Sequence, residues 1–331
     1  MSKKSYTYLV TGAAGFIGSY LCRALLRNVG TNKVIGIDNV NNYYNREIKQ
    51  RRIKELAKNS RFIFYKTSIL EKKSIFDIVT RQKPNILVHA AAGVGVRNGE
   101  AHPSEYFSTN VVGTVNLLEA TAPHIRHAIV FSSSSVYGST KHLPFRETEL
   151  LFPSTPLSTY GASKLAMEIA VQNFYKRTGI PTTIVRPFSI YGPDGRPDML
   201  PMKLLISAKK NIPIEIFAPT TTSRDWTYID DCVHMLCAIL KKPNGLQIVN
   251  IASGHPVPLD ETVKVSQKII RQYGHIIQFT TKPANPTEMK KTWADTTKTK
   301  RLVKPFPLTN YEEGFKKTAD FFFSHLNLYD L

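Results

Sequence analysis

The sequence contains few cysteines and no long apolar run, and these absences exclude several classes of protein. Only three of its 331 residues are cysteine (Cys22, Cys232 and Cys237), and no CxxC pair or Cys/His cluster occurs. We therefore expect no disulfide framework and no metal site, and a reducing, cytoplasmic compartment. No stretch of 18 apolar residues and no signal-peptide segment is found, so no transmembrane segment is expected.

Acidic residues are also scarce. The chain has 25 Asp and Glu against 44 Lys and Arg, which gives a net charge of +19. Such a balance attracts polyanions and steers anionic ligands, so nucleic acid, an anionic membrane and phosphorylated metabolites all remain open. The basic residues are spread along the chain without an Arg-rich tail, which favours a general surface bias over a specific nucleic-acid site.

The order of apolar runs and helical patterns predicts a doubly wound α/β fold, with a parallel Rossmann sheet and a smaller C-terminal α/β subdomain. After about residue 190 the segments become shorter and richer in Pro, Gly and Asp. The predicted domains are residues 1–190 and 191–331, with a part around 225–252 returning to the first. The predicted strands are Tyr6–Val10, Val34–Asp38, Phe62–Lys66, Ile86–His89, Ala128–Phe131, Thr182–Val185 and Gln247–Ile251, and the helices include Phe16–Arg27, Pro103–Ala120, Ser158–Arg177, Pro201–Lys210, Asp230–Lys241, Asp260–Tyr273 and Tyr311–His325.

A glycine-rich loop joins the first strand to the first helix, with the sequence TGAAGFIG from residue 11 to 18. Gly12 permits a tight turn, Gly15 allows backbone to approach a pyrophosphate, and Gly18 allows close helix–strand packing. Asp38 ends the second strand, 20 residues after Gly18. A carboxylate there accepts hydrogen bonds from an adenosine ribose and repels a 2′-phosphate, which favours NAD over NADP. The alternative is an ordinary tight turn and a strand-end aspartate.

Tyr160 and Lys164 lie four residues apart in a predicted helix, so both side chains can project from one face. A free phenol has a pKa of about 10, and a nearby ammonium favours the phenolate. Tyr160 is thus a candidate base for a hydroxyl proton. Four serines, residues 132–135, follow the fifth strand, where ligands bind in α/β folds. From the residues alone, Tyr160 and Lys164 also fit a pair on the surface of a helix, and the four serines also fit a polar turn. Which of the serines would bind a ligand stays open.

Together these motifs resemble the extended short-chain dehydrogenase/reductase superfamily, in its NAD-dependent nucleotide-sugar epimerase/dehydratase branch. The resemblance covers nearly the whole chain. It includes three further motifs, which are VHAAA from Val88, RPFSIYGP from Arg186 and RDWTYIDD from Arg224. A narrower similarity is to UDP-glucuronate 4-epimerases, carried by DNVNNYY from Asp38, by the segment 95–97 and by GRPDM from Gly195.

The resemblance implies an NAD-binding first domain, a second domain that binds the nucleotide sugar, and a homodimer. By position, Ser133 matches the catalytic Ser/Thr, Arg196 an arginine that meets the uronate carboxylate, and Arg224 an arginine that binds the diphosphate. The implied catalytic residues are Ser133, Tyr160 and Lys164. The implied cofactor residues are Gly12, Gly15, Phe16, Ile17, Gly18, Asp38, Asn39, Ser68, Ile69, Ala90, Ala91, Tyr160, Lys164, Pro187 and Ser189. The implied substrate residues are Arg97, Ser134, Ser135, Ser189, Arg196, Arg224 and Glu288.

The sequence departs from the family pattern at two positions near the ligands. Ser68 stands where an acidic residue usually approaches the adenine, and Asn285 replaces the Gln or Arg that begins a nucleotide-binding motif ending here at Glu288. Glu288 retains the ability to accept a hydrogen bond from a ribose.

The resemblance also implies which reaction follows oxidation at C4 of the sugar. Family members that eliminate water or carbon dioxide carry acidic residues where this chain has Ser134 and Ser135. We therefore expect 4-epimerisation of a UDP-sugar, with UDP-glucuronate as the substrate if Arg196 binds its carboxylate. The alternatives are a UDP-glucose or UDP-N-acetylglucosamine 4-epimerase, a dehydratase or decarboxylase, and a non-catalytic protein that binds NAD or nucleic acid.

One basic stretch needs its own interpretation. Residues 46–58 contain six Lys and Arg side chains, which suit a membrane or an acidic partner. We favour a solvated helix over the cofactor mouth, with Ile48, Ile53 and Leu56 turned inward.

Overall fold

A central parallel sheet organises the molecule. The computed structural model describes residues 5–138, 140, 142–149, 156–218, 222–283 and 289–329. The strands are β1 Tyr6–Thr11, β2 Thr31–Asp38, β3 Phe62–Lys66, β4 Ile86–His89, β5 Ala128–Phe131, β6 Thr182–Pro187, β7 Ser189–Tyr191, β8 Ile214–Ala218, β9 Ser223–Tyr228, β10 Leu246–Ile251, β11 Pro256–Pro258 and β12 Phe279–Pro283.

The sheet has seven strands in the order β10-β6-β5-β4-β1-β2-β3, and every pair is parallel. The strands of its centre are apolar on both faces, because helices cover both sides. The strand order reverses between β1 and β4, and ligands of such sheets bind in the crevice at that point. The predicted Rossmann fold is confirmed.

The helices account for most of the remaining chain. They are α1 Phe16–Arg27, α2 Arg46–Ala57, α3 Lys72–Gln82, α4 Val96–Ala101, α5 Pro103–Phe107, α6 Gly113–Thr121, α7 Thr159–Thr178, α8 Leu200–Lys210, α9 Ile229–Leu240, α10 Leu259–Arg271, α11 Thr297–Leu302 and α12 Tyr311–Ser324. The helix predicted over Pro103–Ala120 is interrupted by a π-helical turn at Ser108–Val112. No helix of the described residues has both the length and the apolar character needed to cross a membrane.

The C-terminal half builds two smaller sheets beside the central one. One has the order β11-β9-β7 and the other pairs β12 with β8, whereas β10 runs parallel to β6 at the edge of the central sheet. Aromatic side chains pack β7 and β9 against α12, since Tyr191 contacts Trp226, Tyr228 and Tyr311. The exact domain division stays a prediction, but the return of β10 means that the two halves share a core.

The basic helix α2 differs from the solvated helix that the sequence predicted. Lys49 and Arg52 are buried, and Arg52 is wholly inaccessible to solvent, while Ile53 is only partly covered. Ile48 and Leu56 are buried as expected. The prediction was wrong at Lys49 and Arg52 because it assigned inward positions by hydrophobicity, whereas both cations have polar partners inside the molecule.

Candidate active site

The glycine loop makes the tight strand-to-helix turn that its spacing predicts. Gly12 has a positive φ of 71°, and a Cβ on Gly18 would lie 2.0 Å from the Gly12 carbonyl oxygen. Only glycine fits either position. The first turn of α1 has no side-chain cap and no acidic residue, so its backbone amides remain suited to a phosphate.

Asp38 joins the loop to the end of β2. Its Oδ2 accepts a hydrogen bond from the Ala14 amide at 3.1 Å, and its Oδ1 accepts one from the Val40 amide at 2.8 Å. The carboxylate is almost fully buried. A fixed negative charge therefore lies beside the glycine loop, where the sequence placed it.

The other residues predicted for the cofactor lie around the same sheet edge. Phe16 is buried in α1, Ile17 is partly buried, and Asn39 is exposed. The amide of Ala90 donates to the Thr11 carbonyl and that of Ala91 to the Thr11 hydroxyl, both at 3.2 Å. The rest lie after strands of the central sheet, with Ser68 and buried Ile69 after β3, Pro187 at the end of β6 and Ser189 in β7.

Tyr160 lies in the first turn of α7, which Ser158 caps by accepting from the Gly161 amide. The phenol faces the serine segment, whose Ser133 caps a short 3₁₀ turn over Ser134–Tyr137. Burial raises the pKa of Tyr160, while a hydrogen bond with Ser133 and the charge of Arg196 act in the opposite direction. Of the four serines, Ser133 is therefore the one that contacts the phenol. Ser135 receives a hydrogen bond from the Ser133 hydroxyl at 3.2 Å.

Lys164 lies one turn further along α7 and is buried. Its Nζ donates to the Phe131 carbonyl oxygen, at the end of β5, at 2.7 Å. Burial lowers the pKa of Lys164 to about 7, and the Glu168 carboxylate opposes this shift. Lys164 can therefore change its charge near neutral pH, as residues of catalytic sites often do.

Arg196 lies in the loop after β7, close enough to Tyr160 for its charge to influence the pKa of the phenol. Its Nε and one Nη donate to the two oxygens of Asp198, at 2.9 and 2.5 Å. The Tyr43 hydroxyl donates to the same carboxylate at 3.0 Å, and the guanidinium lies over the Tyr43 ring, 5.5 Å from its centroid. Asp198 occupies only one side of the guanidinium, so the end-on side remains able to bind a second carboxylate.

Two predicted substrate residues, Arg97 and Arg224, lie on α4 and β9. Arg97 is exposed on α4 and, with Pro197, Lys203, Lys210 and Glu215, lines a cavity of about 300 Å³. Arg224 lies in β9, half-buried, and donates to the Ser223 carbonyl oxygen at 3.0 Å. Glu288, together with Asn285, lies outside the described residues.

The sequence analysis missed a clamp built by Arg52. Its guanidinium donates to the Ala14 carbonyl in the glycine loop at 3.1 Å, to the Tyr44 hydroxyl at 2.8 Å, and to the Asp194 carboxylate at 2.9 Å. Asp194 is buried and also pairs with Arg51 at 2.5 Å. The clamp joins the cofactor loop to the loop that carries Arg196.

A buried polar network supports the other side of the site. The His89 ring bridges the hydroxyls of Thr11 and Thr114, at 2.7 and 2.8 Å. Asn110 binds Gly93 through both amide atoms and donates to Ser163, in the turn after Tyr160, at 2.8 Å. His89 is thus a buried residue at the end of β4 with a partner at each ring nitrogen.

Comparison with known proteins agrees with this geometry. The model of the NAD dependent epimerase/dehydratase family matches residues 8–252. The chain belongs to the NAD dependent epimerase/dehydratase family. The family predicted from the motifs is thereby confirmed.

Relatives of this epimerase/dehydratase extend over its full length. It is 34% identical to the UDP-glucuronate 4-epimerase of Thermodesulfobacterium geofontis over 320 residues, which are 95% of each chain. It is 36% identical to the uncharacterized UDP-glucose epimerase YtcB of Bacillus subtilis, over 92% of this chain and 94% of the relative. The crystal structure of UDP-glucuronic acid 4-epimerase from Bacillus cereus, in complex with UDP-glucuronic acid and NAD, superposes with a TM-score of 0.88 at 33% identity, covering 96% and 99% of the two chains.

Proposed function

We propose that this protein is an NAD-dependent 4-epimerase that interconverts UDP-glucuronate and UDP-galacturonate. The observation that carries the proposal is the position of Arg196. The charge of its guanidinium acts to lower the pKa of the nearby Tyr160 phenol. A carboxylate bound to Arg196 would therefore lie close to the proton-transfer group. A guanidinium grips a carboxylate through two parallel hydrogen bonds, which a hydroxymethyl group cannot reproduce.

The residues present fit NAD. The uncapped amides of α1 suit the pyrophosphate, and the buried Asp38 carboxylate suits the ribose hydroxyls and repels a 2′-phosphate. When bound, NAD supplies the acceptor and later the donor of a hydride. The residues proposed to hold it are those around the glycine loop, β3, β4 and β6 that the sequence analysis named.

In this proposal Tyr160 accepts the proton of the sugar 4-hydroxyl and Ser133 orients that oxygen. The Lys164 ammonium stabilises the phenolate that Tyr160 needs for this step. After C4 becomes a ketone and the sugar turns its other face, Tyr160 returns the proton to the new hydroxyl. Tyr160 returns the proton and the hydride returns to C4, so protein and cofactor would both end in their starting states and one bound NAD would serve repeated cycles.

Epimerisation is favoured over elimination because the two described residues that follow Ser133 are serines and not an acid–base pair. Ser134 and Ser135 continue the same 3₁₀ turn, and their hydroxyls do not ionise near neutral pH. A dehydratase needs a proton donor and a proton acceptor at C5 and C6. The serines are instead suited to bind the sugar hydroxyls or the carboxylate.

The diphosphate and uridine are proposed to bind beside Arg224 and towards the basic cavity. Among the described residues that line it, Arg97, Lys203 and Lys210 outnumber the acidic Glu215, so the cavity favours an anionic ligand. Each guanidinium or ammonium there is suited to a phosphate oxygen. Glu288 remains a candidate acceptor for the uridine ribose.

A UDP-glucose 4-epimerase is the second candidate. The bidentate contact with Asp198 offsets the positive charge of Arg196, which reduces its attraction for a uronate. The two candidates separate when the protein is incubated with UDP-glucuronate, UDP-glucose and UDP-N-acetylglucosamine in turn and the products are resolved by NMR. We expect UDP-galacturonate from the first as the main reaction. Preferential formation of UDP-galactose would select the second candidate, and an absence of turnover on all three would refute both.

We further propose that the protein forms a homodimer through its α5–α7 region. Three large apolar side chains of this region are exposed, namely Phe107 (40%), Val112 (52%) and Ile169 (62%). A second copy of the chain covers such a patch without any additional partner. Light scattering after gel filtration should give twice the 37.3 kDa mass, and Ile169→Asp should give the monomer. A monomeric wild-type protein would refute the dimer.

The predicted cytoplasmic location stays a prediction. Fractionation of the source cells, with the antigen followed by immunoblotting, would test it.

A further inference from the structure

Helix α7 carries a third charged side chain in line with the two that act in proton transfer. Tyr160, Lys164 and Glu168 follow one another at intervals of four residues, so they share one helix face. Glu168 is 1% exposed. It lies beneath Lys164, on the side away from the Tyr160 phenol.

Glu168 is fixed from the neighbouring strand β6. Arg186, which is 2% exposed, donates through Nε to one oxygen of Glu168 at 2.8 Å and through an Nη to the other at 2.7 Å. The guanidinium also lies over the Tyr137 ring, 4.9 Å from its centroid, and the Tyr137 hydroxyl donates to Asn250 at 2.7 Å. These contacts determine the position of the carboxylate.

A buried ion pair of this kind is weak evidence of a role in stability. The cost of desolvating both charges commonly offsets their attraction, and apolar residues of similar volume are often equally stabilising. The other nitrogen of Arg186 has no hydrogen-bond partner among the described residues, which adds to that cost. The placement of the pair, one turn from the reactive lysine, points to a role in the reaction.

The groups that face Lys164 make its protonation sensitive to Glu168. Tyr160 and Glu168 lie on its own helix, the Phe131 carbonyl binds it from β5, buried His89 lies in β4, and Arg186 lies behind Glu168 in β6. His89 is neutral, since burial lowers its pKa to about 3. The negative charge of Glu168 thus raises the pKa of Lys164, whereas the burial of Lys164 lowers it.

We propose that Glu168, held by Arg186, is a positioning residue that keeps Lys164 protonated and aligned beneath Tyr160. The inference rests on the proposed 4-epimerase function. The two hydrogen bonds from Arg186 keep the Glu168 carboxylate from rotating towards Lys164. A direct Glu168–Lys164 contact would draw the ammonium away from the Tyr160 phenol. The charge of Glu168 acts at the distance of one helical turn, so it supports the ammonium without binding it.

The test measures the titration of Lys164 without turnover. Protein that holds its dinucleotide is labelled with ¹³Cε-lysine, and the Lys164 resonance is assigned by its loss in Lys164→Met. We expect the midpoint of Lys164 to fall by about 1 pH unit in Glu168→Gln and in Glu168→Gln/Arg186→Met, because the favourable charge is gone. The double variant leaves no unpaired buried arginine and guards against loss of folding. Glu119→Gln, which removes an exposed carboxylate that pairs with Lys72, should leave the midpoint unchanged.

A midpoint equal to that of the wild type in either folded variant would overturn the proposal. The alkaline limb of kcat against pH, measured with the UDP-sugar that the enzyme converts, should move in the same direction and by a similar amount. A shifted NMR midpoint with an unmoved alkaline limb would also overturn it, since Glu168 would then have no effect on the reaction. Failure of the wild-type protein to convert any UDP-sugar would refute the proposed function alone.

Discussion

Arg196 and Asp198 form a bidentate ion pair two residues apart, and the pair is braced by the Tyr43 hydroxyl. Burial alone would raise the pKa of Asp198, but the guanidinium holds it below its usual value. The aspartate is therefore ionised and orients Arg196 through its Nε side. In the proposed function, the end-on side of the guanidinium is left for the substrate carboxylate, which would not displace Asp198.

Arg196→Ala should accordingly lower kcat/KM for UDP-glucuronate about 10- to 100-fold, a loss of ~1.5–3 kcal/mol of transition-state binding. Activity on UDP-glucose should fall less or rise, because a neutral sugar makes no such contact. Arg196→Lys keeps the charge but not the fork, so an intermediate loss is expected. Steady-state kinetics on both substrates give the answer. Equal losses would leave Arg196 as a residue that orders its loop.

Tyr160→Phe should reduce turnover at least ~10²-fold with little effect on folding, because the ring remains and only the ionisable hydroxyl is lost. Tyr106→Phe is the matched control. Its ring packs edge-on against Tyr160 at 6.3 Å, and its hydroxyl binds Asn98 and a loop carbonyl rather than the phenol. Turnover rates of the two variants, with circular dichroism as a folding check, should differ by more than tenfold. Activity near the wild-type level in Tyr160→Phe would show that another group accepts the proton.

Asp38→Asn should weaken the discrimination against NADP by about tenfold, which corresponds to about 1.4 kcal/mol. The amide oxygen still accepts from Ala14 or Val40, so the loop is preserved, but the charge that repels a 2′-phosphate is lost. Mass spectrometry of the dinucleotide released on gentle denaturation should find NAD in the wild type and a mixture in the variant after incubation with both. Asp77→Asn, which removes one negative charge from an exposed surface pair with Lys73, controls for total charge. Wild-type protein that holds NADP as well as NAD would contradict the role of Asp38.

Local spacing made the central part of the site predictable from the sequence. The glycine loop, Asp38 and the Tyr160–Lys164 pair each depend on residues within one strand–turn–helix unit or one helix face. In the structure Asp38 binds the glycine loop, and Tyr160 and Lys164 lie one turn apart in α7. The strands up to β6 were predicted for the same reason, since each is a short apolar run, and those in the centre of the sheet are buried on both faces.

The missed features depend on contacts between distant segments. Arg52 and Asp194 are 142 residues apart, and nothing in either local sequence indicates that a cation in a basic helix has a buried carboxylate to bind. Glu168 was readable as the next residue of the Tyr160–Lys164 stripe, but its partner Arg186 comes from another element. The π-helical turn at Ser108–Val112 was not predicted, because a single wider turn is too short to be recognised from the period of the apolar residues.

Arg52→Met should lower the free energy of unfolding by about 3–5 kcal/mol, because it leaves the buried Asp194 carboxylate without its principal partner. Asp194→Asn added to it should recover part of the loss by removing that charge. Denaturant titration of both variants and of Asp194→Asn alone completes a double-mutant cycle. NAD retention should fall in Arg52→Met as well, since the Ala14 carbonyl loses a donor. Additive effects of the two substitutions would show that the pair does not act as a clamp.

His89 should make the protein labile to acid. Burial lowers its pKa from 6.5 to about 3, so the unfolded chain binds the proton first and protonation favours unfolding. The stabilisation is complete above pH 6.5 and is lost progressively as the pH falls towards 3, with a slope of up to about 1.4 kcal/mol per pH unit.

His89→Gln keeps a polar group between Thr11 and Thr114 and removes the titration. The urea-unfolding free energy, measured from pH 7 to 4.5, should therefore fall less steeply in His89→Gln than in the wild type. His102→Gln, at a half-exposed surface site (52%), is the control and should keep the wild-type slope. The same slope in His89→Gln would mean that the acid sensitivity comes from other groups, such as His127, whose pKa burial lowers to about 4.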